Sequence, residues 1–320
     1  MNPKTIQPED TLAAREVIAN KVHRTPTVRS SYFSDQTRCD VHLKLELFQK
    51  TGSFKVRGVS NKLNSLTSAE KAQGVISLSA GNHAQAVAWG ASQFGIPATL
   101  IMPEGAVPSK LTATREYGGE VLTTSGSLLE YCLSIQKERD LLLIHPFDDP
   151  LIIAGHSTVG LEIVEDVPEV DYVIVGVGGG GLISGVAAAV KARKPTVKVI
   201  GVEPQGAPTM TTSLAKGEPV HLEGVDTIAD GLAAPFVGQH NLDHVREFVD
   251  EVVLVSDAEI VSAMKLIWTR CKVLAEPAAS ASVATLLQKK VVIPEGATVV
   301  CVVSGGNVDV NSLQALLSKA

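Results

Sequence analysis

The chain lacks the marks of several broad protein classes. It has four cysteines in 320 residues, Cys39, Cys132, Cys271 and Cys301. No two sit at the short spacing of a zinc or dithiol motif. A disulfide scaffold is therefore excluded, and a reduced, cytoplasmic protein is expected. Basic residues are not in excess: 28 Lys+Arg against 34 Asp+Glu leave a net charge of −6. With no basic run either, nucleic acid and anionic membrane are not expected partners. The partner is expected to be a small molecule or another copy of the chain. The N-terminal stretch MNPKTIQPEDTLAAREV has no apolar core of a secretion signal. There is no internal repeat, low-complexity tract or long linker. One uncharged stretch, Tyr172 to Val190, contains six glycines in 19 residues, four of them consecutive. That suits a buried strand, a turn and a buried helix better than a membrane span.

What is present is a large apolar fraction, 45%, with 19% charged residues. That is enough for one large domain or two ordinary ones. Short apolar runs predict strands at Val41–Leu47, Val75–Ser79, Ala98–Met102, Glu120–Thr123, Leu141–Ile144, Tyr172–Val177, Val197–Val202, Val252–Val255 and Thr298–Val303. Helix-like stretches fall at His83–Phe94, Ser109–Tyr117, Ser127–Arg139, Leu182–Ala192, Asp257–Thr269 and Val310–Ser318. The alternation predicts an α/β fold with mainly parallel sheets covered on both faces. The number of strands predicts two sheets, with His145–Pro150 (HPFDDP) as the crossover between them.

The glycine loop is an anion site on physical grounds. A strand (YVIVGV), four glycines (Gly178–Gly181) and a helix (LISGVAAAV) follow one another. Loop amides and the helix dipole together favour a phosphate. Gly176, Gly178 and Gly181 also fit G-x-G-x-x-G, and Glu203 lies at the end of the next strand. Taken alone, this is the pattern of a dinucleotide-binding oxidoreductase. The alternative is a tight turn between buried elements.

A second segment decides between these readings. TGSFKVRG (Thr51–Gly58) places Lys55 between a Gly-Ser turn and an apolar stretch. An amine held in a pocket is biased towards its neutral, nucleophilic form. Lys55 is followed in order by SAGNHAQAVA (Ser79–Ala88), HPFDDPLIIAG (His145–Gly155), VGGGGLISG (Val177–Gly185), EPAAS (Glu276–Ser280) and SGGNVD (Ser304–Asp309). Together the six segments resemble the fold-type II pyridoxal-phosphate enzymes, in the branch of the threonine/serine dehydratases and serine racemase. The resemblance covers nearly the whole chain, and the oxidoreductase reading explains the glycine loop only.

The resemblance implies a tryptophan synthase β-like architecture of two domains. Residues 1–50 and 147–320 would form a large cofactor-binding domain and 51–146 a small mobile one. It implies pyridoxal 5'-phosphate as cofactor. Lys55 matches the lysine that joins the cofactor aldehyde, Phe54 the residue packing on its ring, and Asn82 the partner of its phenolic oxygen. Gly178, Gly179, Gly180, Gly181 and Leu182 match the phosphate loop. Ser304 matches the group facing the pyridine nitrogen, where a hydroxyl makes the ring a weaker electron sink and favours elimination. Ser79, Ala80, Gly81, Asn82 and His83 match the substrate carboxylate site, with His83 read as a locally bonded helix-start residue.

The implied reaction is loss of water and ammonia from an L-β-hydroxy amino acid (L-threonine, L-serine or an aryl-serine) to give a 2-oxo acid. Lys55 would take the α-proton. Serine/aspartate racemases of the same family carry a serine where this chain has Ala80, so racemisation is the alternative and elimination the expectation. Ala229–Gly238 (ADGLAAPFVG) matches the substrate wall. Ala233, Ala234, Pro235 and Phe236 would make it apolar and only weakly selective among β-substituents. Glu203 and Ala207 match two of three positions that hold a divalent cation, magnesium or calcium, in some relatives; the third is Thr209, and fewer carboxylates weaken such a site. The usual Gln-Gly is His156-Ser157 here, with no assigned consequence. Asp148 and Asp149 are expected to be structural. With the given sequence ending soon after SGGNVD, no regulatory domain is expected, and the resemblance then implies a catabolic or broad-specificity enzyme. A homodimer or homotetramer is expected.

Overall fold

The computed structural model describes residues 5–309. All nine expected strands form, with ends within two residues of expectation, and a tenth precedes them. They are β1 (Thr27–Arg29), β2 (Asp40–Leu45), β3 (Val75–Leu78), β4 (Ala98–Pro103), β5 (Glu120–Thr124), β6 (Leu142–Leu143), β7 (Tyr172–Gly176), β8 (Lys198–Pro204), β9 (Glu251–Val255) and β10 (Thr298–Val303). Two sheets result. One has six strands in the order β1-β2-β10-β7-β8-β9, parallel except for β1; the other has four parallel strands in the order β5-β4-β3-β6.

The helices in the first half are α1 (Pro8–Ile18), α2 (Ser31–Thr37), α3 (Lys55–Asn64), α4 (Ser68–Gln73), α5 (Asn82–Phe94), α6 (Pro108–Glu116) and α7 (Leu128–Arg139). In the second half they are α8 (Pro150–Asp166), α9 (Gly181–Arg193), α10 (Thr209–Lys216), α11 (Gln239–Phe248), α12 (Asp257–Leu266) and α13 (Pro277–Leu287). The helix expected at Val310–Ser318 lies outside the described residues. None of the helices among the described residues is long and apolar enough to cross a membrane.

Each sheet is packed on both faces, and strand alternation divides its side chains between two cores. On the six-stranded sheet Ile174, Ile200, Val299, Cys301 and Val303 join α12 and α13 in one core. Val173, Val175, Val199, Val300 and Val302 join α8 and α9 in the other. In the four-stranded sheet Val75, Leu100 and Met102 face α3 and α5, while Ile76 and Ile101 face α7. A strand buried on both faces reads as a continuous apolar run, so β10 is TVVCVV throughout. Burying each such valine stabilises the fold by roughly 1.5–3 kcal/mol.

The segment His145–Pro150 carries the chain from β6 to α8, beside the larger sheet, as expected from its two prolines. Asp149 caps α8 by accepting the Leu151 amide at 2.8 Å. Asp148 accepts from the His240 amide at 3.0 Å and from Asn241 Nδ2 at 3.2 Å, so both aspartates are structural.

Beneath the start of α3 lies a buried ion cluster. Arg57, fully buried, donates Nε and Nη2 to the two Glu46 oxygens, each at 2.8 Å, and donates to both Glu162 oxygens at 2.7 and 2.9 Å. Lys44, also fully buried, donates to Glu162 Oε2 and to the Thr25 carbonyl, both at 2.7 Å. The cluster ties β2, α3 and α8 together two residues beyond Lys55.

Candidate active site

A single cavity of about 280 Å³ collects the candidate residues. Its lining includes Phe54, Lys55, Ser79, Ala80, Gly81, Asn82, His83, Gly178, Gly179, Gly180, Gly181, Leu182, Ala234 and Ser304. Glu203 and Ala207 are not part of it.

Lys55 opens α3, with Phe54 at the cap position. Its Nζ donates to the Pro146 carbonyl at 2.9 Å and lies 5.1 Å from the Phe54 ring centre. Burial pushes the amine down to about 8. At pH 7 that leaves roughly a tenth of it neutral, against well under a thousandth for an ordinary lysine. The segment is pinned from the far end of the chain: the Phe54 amide donates to the Ser304 carbonyl at 3.1 Å, and Gly306 N to the Gly52 carbonyl at 2.9 Å. Lys55 and Ser304 therefore share one wall although 249 positions separate them.

The glycines form a cradle at the start of α9. Gly180 has φ +98°, a left-handed conformation that side chains avoid. A Cβ on Gly179 would stand 2.3 Å from the Phe147 ring, so no side chain fits there. The result is an open helix N-terminus of backbone donors, suited to a phosphate. Together with a part-neutral lysine and a hydroxyl at Ser304, which is 5% exposed, the residues fit pyridoxal phosphate.

The opposite wall is the loop before α5. Ser79 Oγ accepts the Gly81 amide at 3.0 Å. His83 is buried in the first turn of α5, and its Nε2 pairs with Ser77 Oγ at 3.0 Å. Burial keeps its imidazole well below the usual histidine range, hence neutral. It is a locally bonded helix-start residue, as expected. The cation beside this loop was not visible in the sequence. Lys110 of α6 packs its side chain against Gly81 and forms an ion pair with Asp230, between α10 and α11.

The predicted substrate wall divides. Ala233, Ala234, Pro235 and Phe236 line the cavity, while Ala229 and Val237 pack in the core. Phe236 also lies 5.2 Å from Phe147 and 6.2 Å from His145, ring centre to ring centre. His145 Nδ1 accepts the Asp148 amide at 2.8 Å, which leaves the proton of the neutral ring on Nε2.

Glu203 lies elsewhere and is fully buried. Its Oε1 accepts the Met210 amide at 2.6 Å; its Oε2 accepts the Thr211 amide at 2.9 Å and hydroxyl at 2.7 Å. Thr209 Oγ1 donates to the Ala234 carbonyl at 2.7 Å. Both Glu203 oxygens thus cap α10, which does not fit a ribose partner.

His156 stands behind Phe54, edge-on at 4.7 Å, fully buried, with neither ring nitrogen hydrogen-bonded. A buried donor without a partner costs about 1–3 kcal/mol. His156→Leu, similar in volume and without polar atoms, is expected to raise the thermal midpoint by about 2 °C. A calorimetric scan showing a lower midpoint would contradict this account.

Sequence reasoning assigned no role to Glu276, Asn307, Lys110, Asp230 or Phe147. Glu276 and Asn307 sit inside segments singled out above. Their partners are 194 and 225 positions away, a relation that spacing does not reveal.

The geometry agrees with comparisons to known proteins. The family described as pyridoxal-phosphate dependent enzyme matches residues 18–305. An L-threonine ammonia-lyase of Thermotoga maritima is 45% identical over 314 residues, 97% of this chain and 78% of that protein. The catabolic L-threonine dehydratase of Escherichia coli K12 is 40% identical over 312 residues, 96% of this chain and 95% of that protein. Among solved structures, maize serine racemase superposes with a TM-score of 0.93 at 38% identity, covering 98% of both chains.

Proposed function

The chain belongs to the pyridoxal-phosphate dependent enzyme family, as an ammonia-lyase that deaminates hydroxy amino acids, and we propose that its preferred substrate is L-threonine. One observation carries the reading. Lys55, the Gly178–Gly181 cradle and Ser304 converge in one cavity, one wall of which, Ala233–Phe236, is apolar. Such a wall accommodates the threonine methyl group.

Bound there, pyridoxal phosphate supplies an electron-withdrawing ring that stabilises charge at the substrate α-carbon. The chain supplies the rest. The Gly178–Gly181 amides and the start of α9 would hold the phosphate, Phe54 would pack against the ring, and Ser304 would supply a hydroxyl to its nitrogen. The Ala80 and Asn82 amides would bind the substrate carboxylate, with Lys110 alongside, since the Ser79 and Gly81 amides donate to the Ile101 carbonyl and to Ser79 Oγ. Lys55 Nζ, lowered to about 8, accepts the α-proton near neutral pH. Ala80 offers no proton on that loop, which supports elimination over the racemase alternative.

Glu203 is read as the cap of α10 and not as a cation ligand. Its two oxygens already accept three hydrogen bonds, and magnesium or calcium requires six or more oxygens. The four free cysteines support a reducing, cytoplasmic setting. The chain is read as a homo-oligomer, to be checked by light scattering.

The test is 2-oxo acid release from L-threonine, L-serine and L-threo-phenylserine by protein loaded with pyridoxal phosphate. kcat/KM is expected to be highest for L-threonine, with L-serine lower by about tenfold, the worth of one methyl group in an apolar pocket. Preference for phenylserine would replace the proposed substrate. Accumulation of D-amino acid without 2-oxo acid would establish the racemase instead.

A further inference from the structure

Asn82 faces the cavity with its side-chain amide held at both ends. Oδ1 accepts from Asn307 Nδ2 at 2.9 Å. Asn307 Nδ2 spends its second hydrogen on the Thr51 carbonyl at 2.8 Å. A carbonyl only accepts, so the Asn307 amide cannot be turned round. At the other end Asn82 Nδ2 donates to Glu276 Oε1 at 2.7 Å. Turning the Asn82 amide would oppose nitrogen to nitrogen at Asn307 and, with Glu276 ionised, oxygen to oxygen at Glu276. The network leaves one Asn82 hydrogen uncommitted, so what Asn82 offers the cavity is a donor.

Glu276 is 3% exposed and precedes α13, which packs on the six-stranded sheet, whereas Asn82 begins a helix of the four-stranded one. We propose that Glu276 is a positioning residue that locks the Asn82 amide with its free N–H towards the cavity, where the cofactor's phenolic oxygen would accept it. The inference rests on the pyridoxal-phosphate reading and deepens it. Asp230 and Lys110 are the charged groups acting on Glu276. Burial first, then Asp230, push its carboxyl up to about 7, while Lys110, Asn82 and the Asn307 backbone pull it down. With a value of about 7, roughly half of it is uncharged near neutrality, and a glutamine is a close substitute for that form: its amide oxygen can take the same hydrogen bond.

The test compares wild type, Glu276→Gln, Glu276→Leu, Asn82→Ala and the Glu276→Leu/Asn82→Ala double variant. Its readouts are the pyridoxal 5'-phosphate dissociation constant and the visible absorbance spectrum of the loaded protein. Glu276→Leu is expected to weaken cofactor binding by about tenfold and to shift the absorbance maximum, as loss of one oriented hydrogen bond would. Glu276→Gln is expected to stay within about twofold of wild type with the wild-type spectrum. In the double variant Glu276→Leu should add nothing to Asn82→Ala, because the amide it orients is gone. Wild-type affinity and spectrum in Glu276→Leu would overturn the proposal, as would additive losses in the double variant. A tenfold loss in Glu276→Gln would overturn it too, and that variant keeps the test decisive if Glu276→Leu fails to fold. Failure of wild type itself to take up pyridoxal phosphate would instead remove the reading on which the proposal rests.

Discussion

Lys55→Met is expected to abolish turnover and, at the same time, to stabilise the cofactor-free protein. The first effect follows from position. Nζ is the amine held beside both the glycine cradle and Ser304, whereas Lys110, the other amine lining the cavity, is paired with Asp230. Loss of an acid–base group alone costs about 10²–10⁴-fold in kcat, and here the group that joins the cofactor goes with it. The second effect follows from burial, which lowers the amine from 10.5 to about 8. Below pH 8 the folded protein carries a charge that its surroundings disfavour. Between about 8 and 10.5 the unfolded chain holds a proton that the folded chain has released, so wild-type stability rises with pH across that window. Methionine removes the penalty and loses only the bond to the Pro146 carbonyl. The net gain is about 2 kcal/mol at pH 7, at 1.4 kcal/mol per unit less one hydrogen bond. Unfolding midpoints measured from pH 6 to 10.5 should converge as the pH rises. Parallel profiles for the two proteins, or measurable 2-oxo acid release by Lys55→Met, would refute the account.

The same opposition of function and stability explains what the sequence discloses. The strands were legible because a parallel sheet covered on both faces requires continuous apolar runs, as in TVVCVV of β10. The glycine cradle was legible because Gly179 faces Phe147 with no room for a Cβ and Gly180 adopts φ +98°. Both constraints act on consecutive residues. Helices α8 and α13 were missed for the converse reason. They are buried nearly all round, with 13 buried residues in α8 and 10 in α13, so no polar face remains to give a period of 3.6. The Glu276–Asn82–Asn307 lock and the Arg57 cluster were missed because each joins segments that only the fold brings together. Lys55 was recognised through the company of five other segments, whereas Arg57, two residues on, belongs to a cluster whose members are scattered through β2, the turn after it, α3 and α8.

Arg57→Met should therefore have a large effect on stability without touching the reacting groups. The four charges of Arg57, Lys44, Glu46 and Glu162 balance, and the guanidinium makes four contacts to the two carboxylates between 2.7 and 2.9 Å. Removing it leaves two buried carboxylates with Lys44 as their one buried cation, a change worth about 3–5 kcal/mol. Arg57→Lys should recover only a small part, since an ammonium cannot make the forked contacts. Replacing all four residues by apolar ones of similar size should restore much of the loss, because desolvation of the charges offsets most of their attraction. The pH dependence distinguishes this from a packing defect. In wild type, Arg57, then Lys44 and Thr25, outweigh burial and hold Glu46 below the usual glutamate range. That contribution is present above the unfolded glutamate value of 4.5 and is lost as the pH falls through the still lower folded value. Without Arg57, burial dominates and Glu46 moves upward, so its ionised form opposes folding and acidification relieves it. Chemical denaturation between pH 4 and 7 should show the wild type at its best near 7 and Arg57→Met losing less, or gaining, on acidification. An equal loss at every pH would mean that the arginine stem matters and its charge does not.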